Sequence, residues 1–270
     1  METMPAGLFA RESGRFVPDP VCAGPWDPGA MHGGPIAALV GRLIAAHEAD
    51  DGDWFLSRLT VELVRPVPVK PVTVRMEIRR PGRRLQLVDA VVLDPDGVEV
   101  LVARGLRLRW EDNGLDEEQL THPDAPDIAG PDGLSSYAHS HDRPFGKFFM
   151  DALDLRAVDE AEFVGMGPAQ VWFKLLVPVM AGESVHPLDR VLTTADFPNG
   201  VSRILDPLEH QFINPDLTVS LHRYPAKEWV LLDGVSHCRR GGYGMAQCAL
   251  SDGGGHLGTS VQTLLVAKAR

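Results

Sequence analysis

Residues 59–65 of this 270-residue chain read LTVELVR, and residues 217–223 read LTVSLHR. At this offset of 158 residues, the sequence stays in register without a gap for about fifty residues. Identical residues at this offset include the pairs Val72 and Val230, Asp94 and Asp252, Gly97 and Gly255, and Leu106 and Leu264. Such a repeat is longer than a solenoid unit or a propeller blade, so it predicts a chain built from two copies of one domain.

Each copy is predicted to contain one helix followed by antiparallel strands. The residues HGGP at 32–35 open a run at 36–46 that is apolar on nearly every side, which indicates a buried helix. Apolar and polar residues then alternate at 59–63 and 72–78, a period typical of strands, and DPDG at 94–97 predicts a hairpin turn. This order is that of a hot-dog domain, in which a curled sheet wraps around one long helix.

The predicted fold class is therefore α+β, a double hot-dog with two antiparallel sheets that each wrap around a helix. We expect an N-terminal domain at residues 1–110 and a C-terminal domain at residues 144–270. Residues 111–143 are acidic and rich in Pro, Gly and Asp, which predicts a linker. In the second copy, strands are expected near residues 163–177, and a short helix is expected from Asp196 to about residue 205.

Composition and charge narrow the functional classes. The net charge is −11 and the pI is near 5.3, whereas phosphate backbones need a basic face, so no nucleic-acid partner is expected. Cys22, Cys238 and Cys248 are too few for a disulfide framework and are predicted to be reduced thiols in a cytoplasmic protein. The first residues lack a signal-peptide pattern, and no apolar run reaches about 18 residues, so no membrane partner is expected.

Three short motifs stand out, namely HGGP at residues 32–35, RPGR at residues 80–83 and SVQ at residues 260–262. Together they resemble the acyl-CoA thioesterase II family, whose members are double hot-dog enzymes, and the resemblance extends over nearly the whole chain. It implies that the chain hydrolyses acyl-CoA thioesters to a free acid and CoA in lipid metabolism, with no cofactor.

The resemblance also implies which residues hold the attacking water. In that family they are an Asp at the start of the second helix, a Thr or other polar residue before the LT strand, and a Gln on the last strand. These roles fall on Asp196, Asn214 and Gln262. Asn214 departs from the Thr pattern, although an amide can also hydrogen-bond a water, and Thr218 is the alternative for this position. Thioester hydrolysis needs an oriented water, a base and donors for the developing oxyanion, and no covalent intermediate.

Taken one at a time, these residues have simpler explanations. Asp196 before a predicted helix is typical of an N-cap, and Gln262 is one polar position on a strand. In the first copy, the positions equivalent to Asn214 and Gln262 are Leu56 and Arg104, and neither suits the orientation of a water. We therefore expect one working acyl-CoA site per chain, with the polar groups from the second copy and a helix N-terminus from the first.

Substrate binding is predicted at two places. His32, Gly33 and Gly34 lie at a helix start, where backbone N–H groups point outward and can meet an oxyanion. Arg80 and Arg83 lie at a turn between strands, where guanidinium groups can meet the CoA phosphates.

Other functions are compatible with parts of the sequence. A hot-dog hydratase or dehydratase acting on enoyl-CoA is the nearest enzymatic rival, although DFPN at residues 196–199 lacks a following His. A catalytically silent acyl-CoA-binding protein is the second alternative, because Asn214 departs from the family pattern. Serine hydrolysis is disfavoured since no G-x-S-x-G motif occurs, and HSHD at residues 139–142 lacks partners at metal-binding spacing, so no metal is expected. Acyl chain length and association into a homo-oligomer are left open.

Overall fold

The computed structural model describes residues 4–49, 53–116, 128–137 and 148–269, and in each half it has a helix followed by antiparallel strands. The first half consists of β1 (Phe9–Glu12), β2 (Arg15–Pro18), α1 (Gly33–Ala46), β3 (Trp54–Glu62), β4 (Thr73–Pro81), β5 (Leu85–Leu93) and β6 (Glu99–Arg109). The second half consists of β7 (Leu153–Ala157), α2 (Glu160–Val164), β8 (Ala169–Leu175), α3 (Pro187–Thr194), α4 (Pro198–Val201), β9 (His210–Ile213), β10 (Asp216–Leu221), β11 (Trp229–Arg239), β12 (Tyr243–Asp252) and β13 (Gly255–Lys268).

The repeat in the sequence corresponds to a repeat of strands. An offset of 158 residues leads from β3, β4, β5 and β6 to β10, β11, β12 and β13 in turn. The equivalent strands keep their register because their alternating pattern and their turn residues recur together. The strands expected near residues 163–177 differ in detail, since Phe163 lies in α2 and the strand β8 begins only at Ala169.

One antiparallel sheet joins the two halves. Within the described residues it has 11 strands, in the order β4-β5-β6-β3-β10-β13-β12-β11-β8-β7, with β9 also paired to β13. At its centre Thr60 on β3 lies opposite Thr218 on β10, and the two hydroxyl oxygens are 3.3 Å apart. Thr60 and Thr218 are also equivalent by the repeat, so a pseudo-twofold axis passes between them.

The two predicted antiparallel sheets are thus joined into one continuous sheet through the pairing of β3 with β10. In separate sheets, β3 and β10 would each leave a row of unpaired backbone groups at an edge. Their pairing satisfies these groups and merges the two halves. The hairpin β1–β2 forms its own two-stranded sheet, and isolated bridges join Phe16 to Val72 and Phe9 to Met180.

The helix of the first half agrees with the prediction, and the helix of the second half agrees only in part. The helix α1 is buried and packs against β3, β5, β6 and α3. The short helix expected after Asp196 is present as α4 but ends at Val201, and a second helix, α3, precedes Asp196 and begins at Pro187. Pro198 has no N–H to donate to the carbonyl of Thr194, and the Phe197 N–H bonds this carbonyl at 3.1 Å, so the helix is interrupted. Asp196 lies in this interruption.

The described residues bear on the expected membrane and thiol properties of the chain. None of the helices in the described part of the chain is long and apolar enough to cross a membrane. Cys22, Cys238 and Cys248 are free, and burial raises the pKa of each thiol. A raised pKa is the opposite of what an activated cysteine nucleophile needs.

Candidate active site

The interruption between α3 and α4 exposes backbone carbonyls that β13 satisfies. The Ser260 hydroxyl donates to the carbonyl of Ala195 at 2.9 Å, and Gln262 Nε2 donates to the carbonyl of Asp196 at 3.2 Å. Ser260 and Gln262 are two positions apart on a strand and therefore face the same side of the sheet. Together they hold Asp196 in a fixed place although it belongs to no helix.

The two carboxylate oxygens of Asp196 have different surroundings. Oδ1 accepts hydrogen bonds from Gln262 Nε2 at 2.7 Å and from Asn214 Nδ2 at 2.9 Å. Oδ2 lies 3.0 Å from His32 Nδ1. The Asp196 side chain is only 3% exposed. The two amides thus fix the carboxylate through Oδ1, and Oδ2 is the oxygen directed towards α1.

Asn214 owes its position to a break between two strands. β9 and β10 both pair with β13, and Asn214 and Pro215 lie between them. Asn214 Nδ2 also donates to the carbonyl of Asp216 at 3.2 Å. The alternative residue, Thr218, lies at the central seam beside Thr60 instead. The structure therefore brings Asn214 into contact with Asp196, whereas the Thr218 hydroxyl contacts Thr60.

His32 is held at the start of α1 by its ring and by one ring nitrogen. The ring stacks on Phe197 at 4.5 Å between centroids and lies 5.3 Å from Phe149. Nδ1 accepts the Gly34 N–H at 3.1 Å and also lies 3.0 Å from Asp196 Oδ2. A single ring nitrogen cannot accept one bond and donate another at once. Nδ1 therefore serves either as the cap of α1 or as the contact with the carboxylate.

The two glycines of the HGGP motif have separate surroundings. A Cβ on Gly33 would lie 2.5 Å from Asp196 Oδ2, so only glycine allows this approach of α1 to the carboxylate. A Cβ on Gly34 would lie 2.8 Å from the carbonyl of Thr193, in the contact between α1 and α3. Gly33 lines the cavity beside Asp196, whereas Gly34 donates its N–H to His32 and does not line it.

A cavity of about 760 Å³ adjoins this cluster. His32, Asp196 and Asn214 form part of its wall. Aromatic and aliphatic side chains form another part of the wall, which contains Tyr137, Phe148, Met150, Leu155, Phe163, Phe197 and Val201. Pockets of this size with an apolar wall and a few convergent polar groups are typical of small-molecule sites.

Gln262 reaches the cluster from behind. It is fully buried, and it is not among the residues that line the cavity. Its amide contacts the cavity only through Asp196, which it holds by two hydrogen bonds. Its Oε1 atom has no hydrogen-bond partner among the described residues. The geometry places the Gln262 amide behind the carboxylate, whereas the predicted contact with a water requires an amide that faces the cavity.

Arg80 and Arg83 are not brought to this site. Arg80 lies near the end of β4, and Arg83 lies in the turn that follows. The segment that lines the cavity, residues 63–67, precedes the start of β4 at Thr73. A strand rises about 3.3 Å per residue, so Arg80 lies roughly 23 Å along β4 from its start. The positions of Arg80 and Arg83 therefore do not support the expected contact of this turn with CoA phosphates at the same site.

The residues of the first copy that are equivalent to Asp196, Asn214 and Gln262 do not form such a cluster. Leu56, equivalent to Asn214, is 1% exposed and lies in the core. Arg104, equivalent to Gln262, is exposed on β6 and forms two hydrogen bonds with Asp89, at 2.6 and 2.7 Å. Ala38, equivalent to Asp196, lies within α1. The described residues hold no group of three or more potential metal ligands, and residues 139–142 lie outside them.

Sequence reasoning did not single out the cations that line the cavity, Arg65, Arg203 and Lys268. Arg65 had a usable signal, because it ends the LTVELVR motif and corresponds to Arg223 in the second copy. Lys268 had none, because a lone lysine near the end of a strand is ordinary on a protein surface.

The fold and this cluster define a hot-dog protein with a carboxylate at the wall of an apolar cavity. Residues 22–108 match the family model of the acyl-CoA thioesterase N-terminal domain, and residues 122–266 match that of the acyl-CoA thioesterase C-terminal domain. The chain therefore belongs to the acyl-CoA thioesterase family and is a thioesterase, as the resemblance of its motifs predicted.

Solved structures agree with this fold. A Thermobifida fusca protein assigned to thioesterase II superposes with a TM-score of 0.74 at 17% identity, over 97% of this chain and 96% of the other. A conserved Alicyclobacillus acidocaldarius protein with a hot-dog fold superposes with a TM-score of 0.72 at 16% identity, over 97% of this chain and 96% of the other. An acyl-CoA thioesterase II from Mycobacterium marinum superposes with a TM-score of 0.66 at 17% identity, over 89% of this chain and 92% of the other. A comparison with the curated proteins finds no match.

Proposed function

We propose that the chain hydrolyses acyl-CoA thioesters with a water that Asp196 activates. The observation that supports this is the asymmetric carboxylate, whose Oδ1 accepts two amide N–H groups while Oδ2 faces the start of α1 at the cavity wall. A carboxylate at a cavity wall, with one oxygen held by two amides, is suited to general-base catalysis.

In the proposed reaction, a water in the cavity donates a proton to Asp196 Oδ2 as its oxygen attacks the thioester carbonyl carbon. Asn214 lies at the cavity wall and can orient this water. Gln262 keeps the carboxylate aligned from behind, since it bonds both Oδ1 and the backbone carbonyl of Asp196. The Gly33 N–H, the first of α1, is the proposed donor to the developing oxyanion.

The tetrahedral intermediate then re-forms the carbonyl and breaks the carbon–sulfur bond. The CoA sulfur leaves with the electron pair of that bond and takes the proton that Asp196 received from water. The products are the free acid and the CoA thiol, and Asp196 is again a carboxylate. No group of the protein forms a covalent bond to the substrate.

The proposed role of His32 is to position Oδ2. Its ring is fixed between Phe149 and Phe197, so Nδ1 has one place beside the carboxylate. The apolar wall of the cavity is the proposed site of the acyl group, because it buries hydrocarbon surface next to the reacting carbonyl.

A thiol-release assay tests this proposal. The protein is incubated with a panel of acyl-CoA esters of increasing chain length, and free CoA thiol is measured with a chromogenic disulfide while enoyl absorbance is followed in parallel. The proposal predicts thiol release with a preference for apolar acyl groups. A change in enoyl absorbance without thiol would instead identify a hydratase. Binding without either change would identify a silent acyl-CoA-binding protein.

A further inference from the structure

The CoA part of the substrate poses an electrostatic problem for this protein. CoA carries several phosphate charges, and the chain has a net charge of −11. Such a protein repels a polyanion over most of its surface unless cations are concentrated where the ligand binds. Among the cavity-lining residues, Arg65 and Lys268 are exposed, and neither forms an ion pair with a carboxylate in the described part of the chain.

The repeat provides an internal reference for Arg65. Its equivalent in the second copy, Arg223, donates to both carboxylate oxygens of Asp252, at 2.6 and 3.1 Å. In the first copy the equivalent acid is Asp94, and it accepts instead the backbone N–H groups of Asp96 and Val98. Arg65 Nη1 donates to the carbonyl of Glu99 at 2.7 Å, which fixes the side chain without neutralising its charge.

The backbone around Asn214 places both cations near the site. The Leu63 N–H donates to the carbonyl of Pro215 at 2.7 Å, so the chain leading to Arg65 lies beside Asn214. On the other side, β9 pairs with β13, with Ile213 opposite Leu265 and His210 opposite Lys268. Lys268 is therefore roughly 13 Å from Asn214 along the strands, at about 3.3 Å per residue. A group bound at this distance is remote from the thioester carbonyl.

Two other charged residues of the cavity wall are engaged locally. Asp27 accepts the Gly29 N–H at 2.8 Å, within its own turn. Arg203 Nη2 donates to the carbonyl of Phe163 at 3.0 Å, in the apolar part of the wall. Arg65 and Lys268 thus form the cationic rim of the cavity.

We propose that the cationic rim, Arg65 and Lys268, binds the phosphate groups of CoA and so determines that the thiol carrier is CoA. This inference rests on the proposed function, because it assigns the charged part of the same substrate. It replaces the turn at Arg80 and Arg83 as the phosphate contact. Charge-assisted hydrogen bonds from guanidinium and ammonium groups are the usual means of holding phosphates.

The test compares two thioesters with the same acyl group. One is the acyl-CoA, and the other is the acyl-N-acetylcysteamine thioester, which has the same reacting carbonyl but no phosphate. Arg65→Ala with Lys268→Ala is expected to raise KM for acyl-CoA about tenfold or more while kcat stays near wild type. Both parameters for the N-acetylcysteamine ester should stay unchanged. Raising the ionic strength should weaken acyl-CoA binding in the wild type more than in the double variant.

The matched control is Arg80→Ala with Arg83→Ala, which removes the same charge from an exposed turn and is expected to leave both substrates unaffected. The inference is wrong if the rim variant keeps the wild-type KM for acyl-CoA, or if its KM rises equally for both thioesters. It is also wrong if the KM of the control variant for acyl-CoA rises as much as that of the rim variant. Calorimetric titration with CoA alone provides a readout independent of hydrolysis. The wild type could hydrolyse neither ester and still bind CoA about tenfold more tightly than the rim variant. That result would overturn the proposed function but support phosphate binding by the cationic rim.

Discussion

The contact between Gly33 and Asp196 links the start of α1 to the proposed base. A Cβ at residue 33 would lie 2.5 Å from Oδ2, well inside van der Waals contact, so Gly33→Ala must displace the carboxylate. Displacements of about 1 Å can lower turnover about 100-fold, and we expect a loss of this order in kcat, measured by thiol release. Gly253→Ala is the control, because its Cβ meets open space. Equal and full activity of both variants would contradict the proposed role of this contact.

Gln262 offers a second test at the scale of one residue. Gln262→Leu keeps the volume of the side chain but removes both hydrogen bonds to Asp196, and we expect kcat to fall roughly 10- to 100-fold with KM nearly constant. Arg104→Ala changes the equivalent position of the first copy and should leave kcat unchanged, since Arg104 contacts Asp89 on the outer surface. The opposite pattern would show that the site belongs to the other copy.

Part of this cluster could be predicted from the sequence. The family resemblance singled out Asp196, Asn214 and Gln262, and the structure brings them into hydrogen-bonding contact. The burial of Gln262 behind the carboxylate could not be predicted, because it depends on which side of Asp196 the strand β13 passes. The contact of His32 with Asp196 also joins residues from two different halves, and no local pattern encodes it.

At the scale of helices, α1 and α3 pack through a partly buried ion pair. Arg42 Nη1 donates to both carboxylate oxygens of Asp189, at 2.9 and 3.1 Å, and Asp189 is fully buried. Burial raises the pKa of Asp189, and the Arg42 guanidinium acts in the opposite direction. The arginine therefore compensates a carboxylate that the interior otherwise disfavours.

Arg42→Ala should destabilise the fold because it leaves this carboxylate buried and unpaired. We expect a loss of about 3 kcal/mol in the free energy of unfolding at pH 7, measured by denaturant titration. An acid with a raised folded pKa binds more protons in the folded state, so stability falls as pH rises between the unfolded and folded pKa values. The loss should therefore shrink as the pH is lowered towards 4. Arg79→Ala, which breaks an exposed pair with Glu77, is the control and should cost little.

The strands and helices differed in how well the sequence predicted them. The period-2 runs and turn residues of β4, β5 and β6 recur 158 residues later, so two independent stretches support the same strands. The interruption between α3 and α4 depends on one proline and on the side chains of β13 that satisfy the freed carbonyls. Those side chains are more than sixty residues away, which is why the sequence predicts the short helix after Asp196 but neither α3 nor the interruption.

At the scale of the whole molecule, the duplication has produced two unequal halves around the axis between Thr60 and Thr218. The second half supplies Asp196, Asn214 and Gln262, and the first half supplies His32 and Gly33. The repeat predicted this division, because Leu56 and Arg104 stand where the polar residues would be needed. It did not predict that β3 and β10 join into one sheet, since pairing between halves leaves no mark in either copy alone.

The asymmetry predicts one working site per chain. Calorimetric titration with a non-hydrolysable acyl-CoA analogue should therefore saturate at one ligand per chain. The physical reason is that, of the first-copy equivalents, Leu56 has no polar group and Arg104 is bound to Asp89, so neither can orient a water at a second site. Saturation at two equal sites per chain would contradict this division of roles.

The most direct test of the proposed mechanism is the turnover of Asp196→Asn compared with that of Asp189→Asn. Both residues are buried aspartates, with Asp189 in the first turn of α3 and Asp196 just after its last residue. Asp196→Asn removes the base and should lower kcat for acyl-CoA by two or more orders of magnitude with little change in melting temperature. Asp189→Asn should lower the melting temperature and keep kcat, because it weakens the pair with Arg42 and the bond from the His186 N–H, and none of these residues lines the cavity. Near-full turnover of Asp196→Asn together with a lower melting temperature would show that Asp196 is structural and would contradict the mechanism.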